Sequence, residues 1–237
     1  MAAMRARTTA TIDNLVWHAL TGPQAPFAER VGDAVRYESA VGVFCALADS
    51  PNPDDWDALR SLVGPGSPAV FFRPLPLAVP PKWEISMTMP SCQMVAPTEL
   101  ATVPDVAIEP IRVRDELDDL ITSARPGPWF ARTDELGPAM DLPFLGIYEH
   151  DRLVAAAGIR LVTTDAAEIS AVATHEAARG RGYARALVAE LSRRIDRSGR
   201  LPLLHVLADN RSARASYERL GFLYRPDVLV TVLIAPA

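Results

Sequence analysis

The run Arg179-Gly180-Arg181-Gly182-Tyr183-Ala184 separates an apolar stretch from an amphipathic one, and its residue types suit the capture of an anion. Glycines let a backbone come close to a ligand, and the unpaired N–H groups at a helix start point outward with the positive end of the helix dipole. Between Arg179 and Arg200 seven arginines stand against Glu190 and Asp196. That local excess would welcome a polyphosphate. The same residues also satisfy an ordinary Gly-rich turn before a helix, so the run alone does not decide. Arg185 occupies the third small position of a dinucleotide fingerprint, and Gly-Lys-Ser/Thr is absent, so neither familiar phosphate motif fits.

The other reactive side chains give little of their own. His18, His150, His175 and His205 share no metal-ligand spacing with one another or with Cys45 and Cys92, and no metal is expected. His205 alternates within an apolar strand and reads as a core histidine, and His175 reads as a loop residue. No Gly-x-Ser-x-Gly elbow is present, which disfavours serine hydrolase chemistry.

Elements must bring these residues together. Glu168 to Thr174 reads as a strand. Gly182 to Arg197 reads as a helix, because Ala184, Leu187, Val188, Leu191 and Ile195 form one stripe. Leu203 to Ala208 reads as a buried strand. Asp209 or Asn210 caps a helix carrying Ala213, Tyr217 and Leu220, stopped at Gly221. Val228 to Ile234 closes the chain as a strand. Upstream, Ile111 to Ala124 is helical by its period, while Phe144 to Glu149 and Leu153 to Leu161 form a hairpin turned at His150-Asp151-Arg152. In the first hundred residues, 12 to 20 and Asp54 to Leu62 read as helices. Ala40 to Ala46, Ala69 to Phe72 and Trp83 to Val95 read as strands, the last interrupted at Pro90. Residues 101–110, with Pro104 and Pro110, read as a linker dividing an N-terminal α+β segment (1–100) from a second domain (108–237).

Composition sets the limits. The 237 residues carry a net charge of −5, and 49% are hydrophobic, the composition of a globular chain that folds without metals or disulfides. An acidic pI near 5.4 argues against nucleic acid or an anionic membrane as partner. No apolar run is long enough to span a bilayer. Two cysteines are too few for a disulfide framework, so a cytoplasmic setting is expected.

With Arg179, Gly182 and Ala184 in hand, the chain resembles the GNAT superfamily of acyl-CoA-dependent N-acyltransferases, whose signature is Gln or Arg, two residues, Gly, one residue, Gly or Ala. Asn210, Ala213, Tyr217, Gly221 and Phe222 form a second family-like pattern at the expected offsets. The resemblance covers about residues 108 to 235 and looks closest to the glycine N-acyltransferase-like branch. It implies an α/β fold of the α+β type, a mixed twisted sheet with helices on both faces, with residues 1–100 as a degenerate second half. It also implies transfer of an acetyl group from acetyl-CoA to a primary amine of a small molecule or peptide, with no metal, in a chain compatible with a homodimer.

The resemblance further implies site residues. Main-chain groups of Val172, Ala173 and Thr174 would pair with the pantetheine arm, and amides of Arg179, Gly180, Arg181, Gly182, Tyr183 and Ala184 would hold the diphosphate. Asn210 would cap its helix and touch the coenzyme. Glu168 stands where histone-acetylating members carry a general base, and burial would raise its pKa; the alternative is a glutamate at a solvent-facing strand end. Tyr217 would protonate the leaving thiolate, or else serve as a core aromatic. Trp83, Trp129, Phe130 and Phe144 would line an acceptor cleft or pack in the core. The rivals from other classes are a non-catalytic CoA-binding regulatory module and a nucleotide-binding protein.

Overall fold

The structure, a computed structural model, describes residues 11–39, 41–74, 78–124 and 144–237. Trp129 and Phe130 lie outside the described residues. The sheet-forming strands are β4 (Pro68–Arg73), β5 (Glu84–Val95), β6 (Glu109–Pro110), β7 (Leu145–Glu149), β8 (Arg152–Val162), β9 (Ala166–Thr174), β10 (Leu201–Leu207) and β11 (Leu223–Ile234). They form one mixed sheet in the order β4-β11-β5-β10-β9-β8-β7-β6, antiparallel except for the β9–β10 pair. A small three-stranded sheet, β1 (Ala28–Val31), β2 (Ala34–Tyr37) and β3 (Cys45–Ala46), stands beside it.

This topology redraws the division expected at residue 100. β5 inserts between β10 and β11, and β4 is the outer strand beyond β11, so the first hundred residues contribute to the same sheet as the last hundred. The proline-rich stretch around 101–108 has no regular structure, but it does not separate two sheets. Strand periodicity cannot reveal which strands pair when the pairing residues lie more than a hundred positions apart. β5 also runs through Pro90 without a break. The Pro90 carbonyl accepts from Ala208, just beyond the end of β10, so the edge lacking an N–H faces a place where no ladder bond is required. Further corrections fall nearby: 41–43 is not strand, Phe44 makes only an isolated bridge to Val70, and the β1–β2 hairpin carried too weak an alternation to be read.

Helices cover both faces. α4 (Tyr183–Arg197) buries Leu187, Val188, Leu191 and Ile195 against β8, β9 and β10. Each such side chain contributes about 1.5–3 kcal/mol on burial, so this stripe, rather than its terminal hydrogen bonds, fixes where the helix starts. α5 (Arg211–Arg219) adds Tyr217 to the same core. On the opposite face lie α1 (Leu15–Leu20) and α3 (Arg114–Ala124), with α2 (Pro53–Val63) packed beneath the small sheet. α2 starts at Asn52, whose side chain accepts from Asp54 and Asp55 while Asp55 returns the bond.

Candidate active site

Two irregularities in the strands build the site. The β9–β10 ladder runs from Leu201 opposite Ala166 to Leu204 opposite Ile169 and ends there among the described residues. Beyond it β10 pairs with β5, and β9 keeps only β8 as partner. Ala171 adopts φ +52, and Ala171 and Val172 together oppose the single residue Ala157, a bulge that bends β9 away from β10. A non-glycine residue in this region costs about 1–3 kcal/mol and persists only where its surroundings hold it. The result is a wedge with one free backbone edge.

A cleft of about 420 Å³ opens from this wedge. Of the residues singled out in the sequence it brings together Val172, Ala173, Thr174, Arg179, Gly180, Gly182, Tyr183, Ala184, Asn210 and Tyr217. Arg181 turns away from it. Gly180 and Gly182 have φ of +82 and +83, a region that glycine enters without steric penalty. A Cβ on Gly180 would meet nothing within 4 Å, whereas one on Gly182 would come within 2.8 Å of Pro104. The first glycine thus keeps the turn open to a ligand, and the second lets the linker pack beneath it.

The electrostatics favour an anion. No acid stands in the first turn of α4 or α5, and among the described residues none lines the cleft. Arg179, Arg185 and Arg219 do line it, and Arg179 donates from Nε to the Thr174 carbonyl at 3.3 Å. The Thr174 hydroxyl is buried without a partner. Asn210 caps α5, its Oδ1 accepting from Ala213 N at 3.1 Å. Tyr217 is 6% exposed and packs on Phe222 with ring centroids 6.2 Å apart. Sequence reasoning missed Arg185, Ser212, Ser216 and Arg219; helical spacing from Asn210 and Gly182 was the signal that would have found them.

Glu168 departs from expectation. It is 1% exposed, on the sheet face opposite α4, and a second bulge sets Arg160 and Leu161 of β8 against it. Arg160 grips both carboxylate oxygens, Nε to Oε2 at 3.0 Å and Nη2 to Oε1 at 2.8 Å, and His205 Nδ1 lies 2.8 Å from Oε1. Burial pushes the carboxyl up, but the Arg160 charge and these hydrogen bonds outweigh it and bring its pKa down to about 2. The expected rise is therefore reversed. Burial lowers the His205 pKa, and with its Nε2 placed to accept from the Gln93 amide at 3.0 Å its Nδ1–H is the group that donates to Glu168. Gln93 also donates to the Ile12 carbonyl at 2.9 Å, and the Arg160 guanidinium lies 4.8 Å from the Phe44 ring centre.

Trp83 and Phe144 are core residues, not cleft walls: Trp83 packs on Trp56, and Phe144 sits among Leu117, Leu120 and Leu153. Among the described residues no group of three potential ligands is placed to hold a metal, and no helix is long and apolar enough to cross a membrane.

A mixed sheet split beside a glycine turn, with a helix start aimed into the split, defines an α/β protein of the acetyltransferase class. Residues 144–229 match the FR47-like family model. A Novosphingobium aromaticivorans structure assigned to the GNAT acetyltransferase family is 31% identical, with a TM-score of 0.79 over 95% of this chain and 98% of that one. The chain belongs to the GNAT family. A GCN5-related N-acetyltransferase from Kribbella flavida, 16% identical, shares the fold with a TM-score of 0.60 over 99% of this chain and 96% of that one. A mycothiol acetyltransferase of Corynebacterium efficiens is 34% identical over 103 residues, 43% of this chain. Those residues span about a third of that relative's length, 32%. None of these three bears the name of the glycine N-acyltransferase-like branch.

Proposed function

We propose that this protein transfers an acetyl group from acetyl-CoA to a primary amine. The observation that carries the reading is the cleft between the wedge and the start of α4, which among the described residues is free of acids, is lined by three arginines and holds the buried, unpartnered Thr174 hydroxyl. These residues fit a coenzyme that carries a diphosphate at one end and an amide-bearing arm at the other. The amides from Gly180 to Ala184 take the diphosphate, and the free edge of Val172 to Thr174 takes the arm as an added strand. Acetyl transfer, rather than transfer of a longer acyl group, is in keeping with the names of the relatives.

When bound, acetyl-CoA supplies an activated thioester, which removes any need for a metal. The chain's own task is to place that carbonyl and to manage protons. The amine must arrive or become neutral, since only its lone pair attacks, and the departing sulfur must gain a proton. Tyr217, which lines the cleft, supplies that proton from its hydroxyl. Glu168 does not act as base: both its oxygens are engaged and its conjugate acid is too strong to draw a proton from an ammonium near neutral pH. It serves instead to hold β9 straight up to Ile169, so that the bend begins at Ala171. The amine's proton leaves to solvent, and solvent returns a proton to the Tyr217 phenolate.

Calorimetry with CoA, followed by release of free thiol from acetyl-CoA over a panel of primary amines, tests the reading. Binding together with multiple turnovers on at least one amine is expected. Binding without turnover on any amine would favour a non-catalytic CoA-binding module, and absence of binding would overturn both.

A further inference from the structure

The β7–β8 hairpin closes through His150 and Asp151, at φ +51 and +60, the two left-handed residues of a tight two-residue turn whose twist matches that of its strands. Glu149, the last residue of β7, pairs with Arg152 across this corner and is thereby held on a rigid part of the sheet. Its Oε1 accepts from Arg181 Nη1 at 2.7 Å and from the Tyr183 hydroxyl at 2.5 Å. These two residues flank Gly182. Arg181 also donates from Nη2 to the Ala177 carbonyl at 3.1 Å, so one guanidinium spans the turn and ties it to the hairpin.

We propose that Glu149 is a positioning residue for coenzyme binding: by holding Arg181 and Tyr183 it presets the Gly180–Gly182 turn with its amides facing the cleft. This rests on the reading of the cleft as a CoA site. The physical reason is entropic. Two glycines at positive φ give a turn with many alternative conformations, and a ligand that must order it loses affinity by that cost. A tether to a sheet corner meets the cost before the ligand arrives. It also answers why the loop's own Arg181 does not line the cleft: its charge is spent on Glu149, and recognition is left to backbone amides and to Arg179, Arg185 and Arg219. Tyr183's hydrogen bond, with help from Arg181, holds the Glu149 carboxyl below the usual carboxylate range, so the tether is in place at neutral pH.

An exposed ion pair of this kind would ordinarily leave ligand binding untouched. The test is a cycle read by calorimetry with CoA. Glu149→Ala is expected to weaken CoA binding about tenfold in the otherwise native chain, the ordering cost of two released side chains. In an Arg181→Ala/Tyr183→Phe background the same change is expected to alter affinity less than about twofold, because its partners are gone. Unchanged or tighter binding by Glu149→Ala overturns the proposal, as does an equal loss in both backgrounds. Should the alanine variant not fold, Glu149→Gln keeps an accepting oxygen and is expected to show a smaller loss in the same direction, no loss counting against the proposal. Failure of the unsubstituted protein to bind CoA would instead overturn the function proposed above.

Discussion

The two faces of β9 treat their charged groups in opposite ways. On one face Glu168 sits in a chain of contacts, Arg160, His205, Gln93 and the Ile12 carbonyl, in which each of its two oxygens already has a donor. On the other, the wedge presents a free strand edge, an unpartnered Thr174 hydroxyl and arginines whose charges meet no acid among the described residues of the cleft. Burial is deep in the first case and partial in the second. A buried charge that is fully paired holds structure, and polar groups left unfilled around an opening mark the place for a ligand. The difference explains why a glutamate at a family's base position has its pKa lowered here rather than raised, while a turn whose first glycine lies six residues beyond β9's end, which looks unremarkable alone, lines the cleft.

The comparison can be broken most directly at Glu168. Glu168→Gln leaves Arg160 buried with a neutral partner and is expected to lower unfolding stability by about 3–5 kcal/mol, measured by urea denaturation. Replacing the pair together, Arg160→Met with Glu168→Leu, is expected to recover most of that loss. A loss below about 1 kcal/mol for the single change would mean the pair is not the anchor described.

The same carboxylate sets an acid limit. Its folded pKa, about 2, lies below its ordinary value of 4.5, so its contribution is fully present above pH 4.5 and is lost as pH falls toward 2. The loss amounts to about 3 kcal/mol across that window at roughly 1.4 kcal/mol per unit. Denaturation midpoints at a series of pH values check it, and the slope should flatten in Glu168→Gln.

On the open face the effects move to binding and turnover. Tyr217→Phe is expected to lower kcat by about tenfold to a hundredfold, the scale of a lost general acid, with CoA affinity within about twofold. Unchanged turnover would remove the tyrosine from the chemistry. Smallest of all, Arg185→Ala and Arg219→Ala should each weaken CoA binding by about threefold to tenfold at low salt, with the deficit shrinking as ionic strength rises, because exposed charges are screened over about 10 Å at 0.1 M. A deficit independent of salt would point to packing instead of charge.

Much of the fold was legible because local patterns carried it. The α4 stripe, the Asn210 cap, the Gly221 stop and the hairpin at His150-Asp151 each depend on residues within a few positions of one another. So did most of the cleft, since two short motifs supply its two helix starts. The Glu149 tether was not legible: its bonds to Arg181 and Tyr183 reach across 32 and 34 residues and leave no periodic trace. Nor was the state of Glu168, whose type and apolar neighbours announce burial but whose partner Arg160 is aimed at it by a bulge that only strand register reveals.

What the amino-acid sequence determined by itself was the set of elements, the glycine turn at the head of α4 and, through the two motifs, the family to which they belong. Those follow from backbone conformational limits and from short-range patterns of apolar residues. Tertiary structure alone decided that β5 lies between β10 and β11, that β9 bends at Ala171, and which charges are paired and which are left open. A carboxylate's pKa and an arginine's availability depend on neighbours brought within a few ångströms by strand pairing, and such distances exist only once the chain has folded.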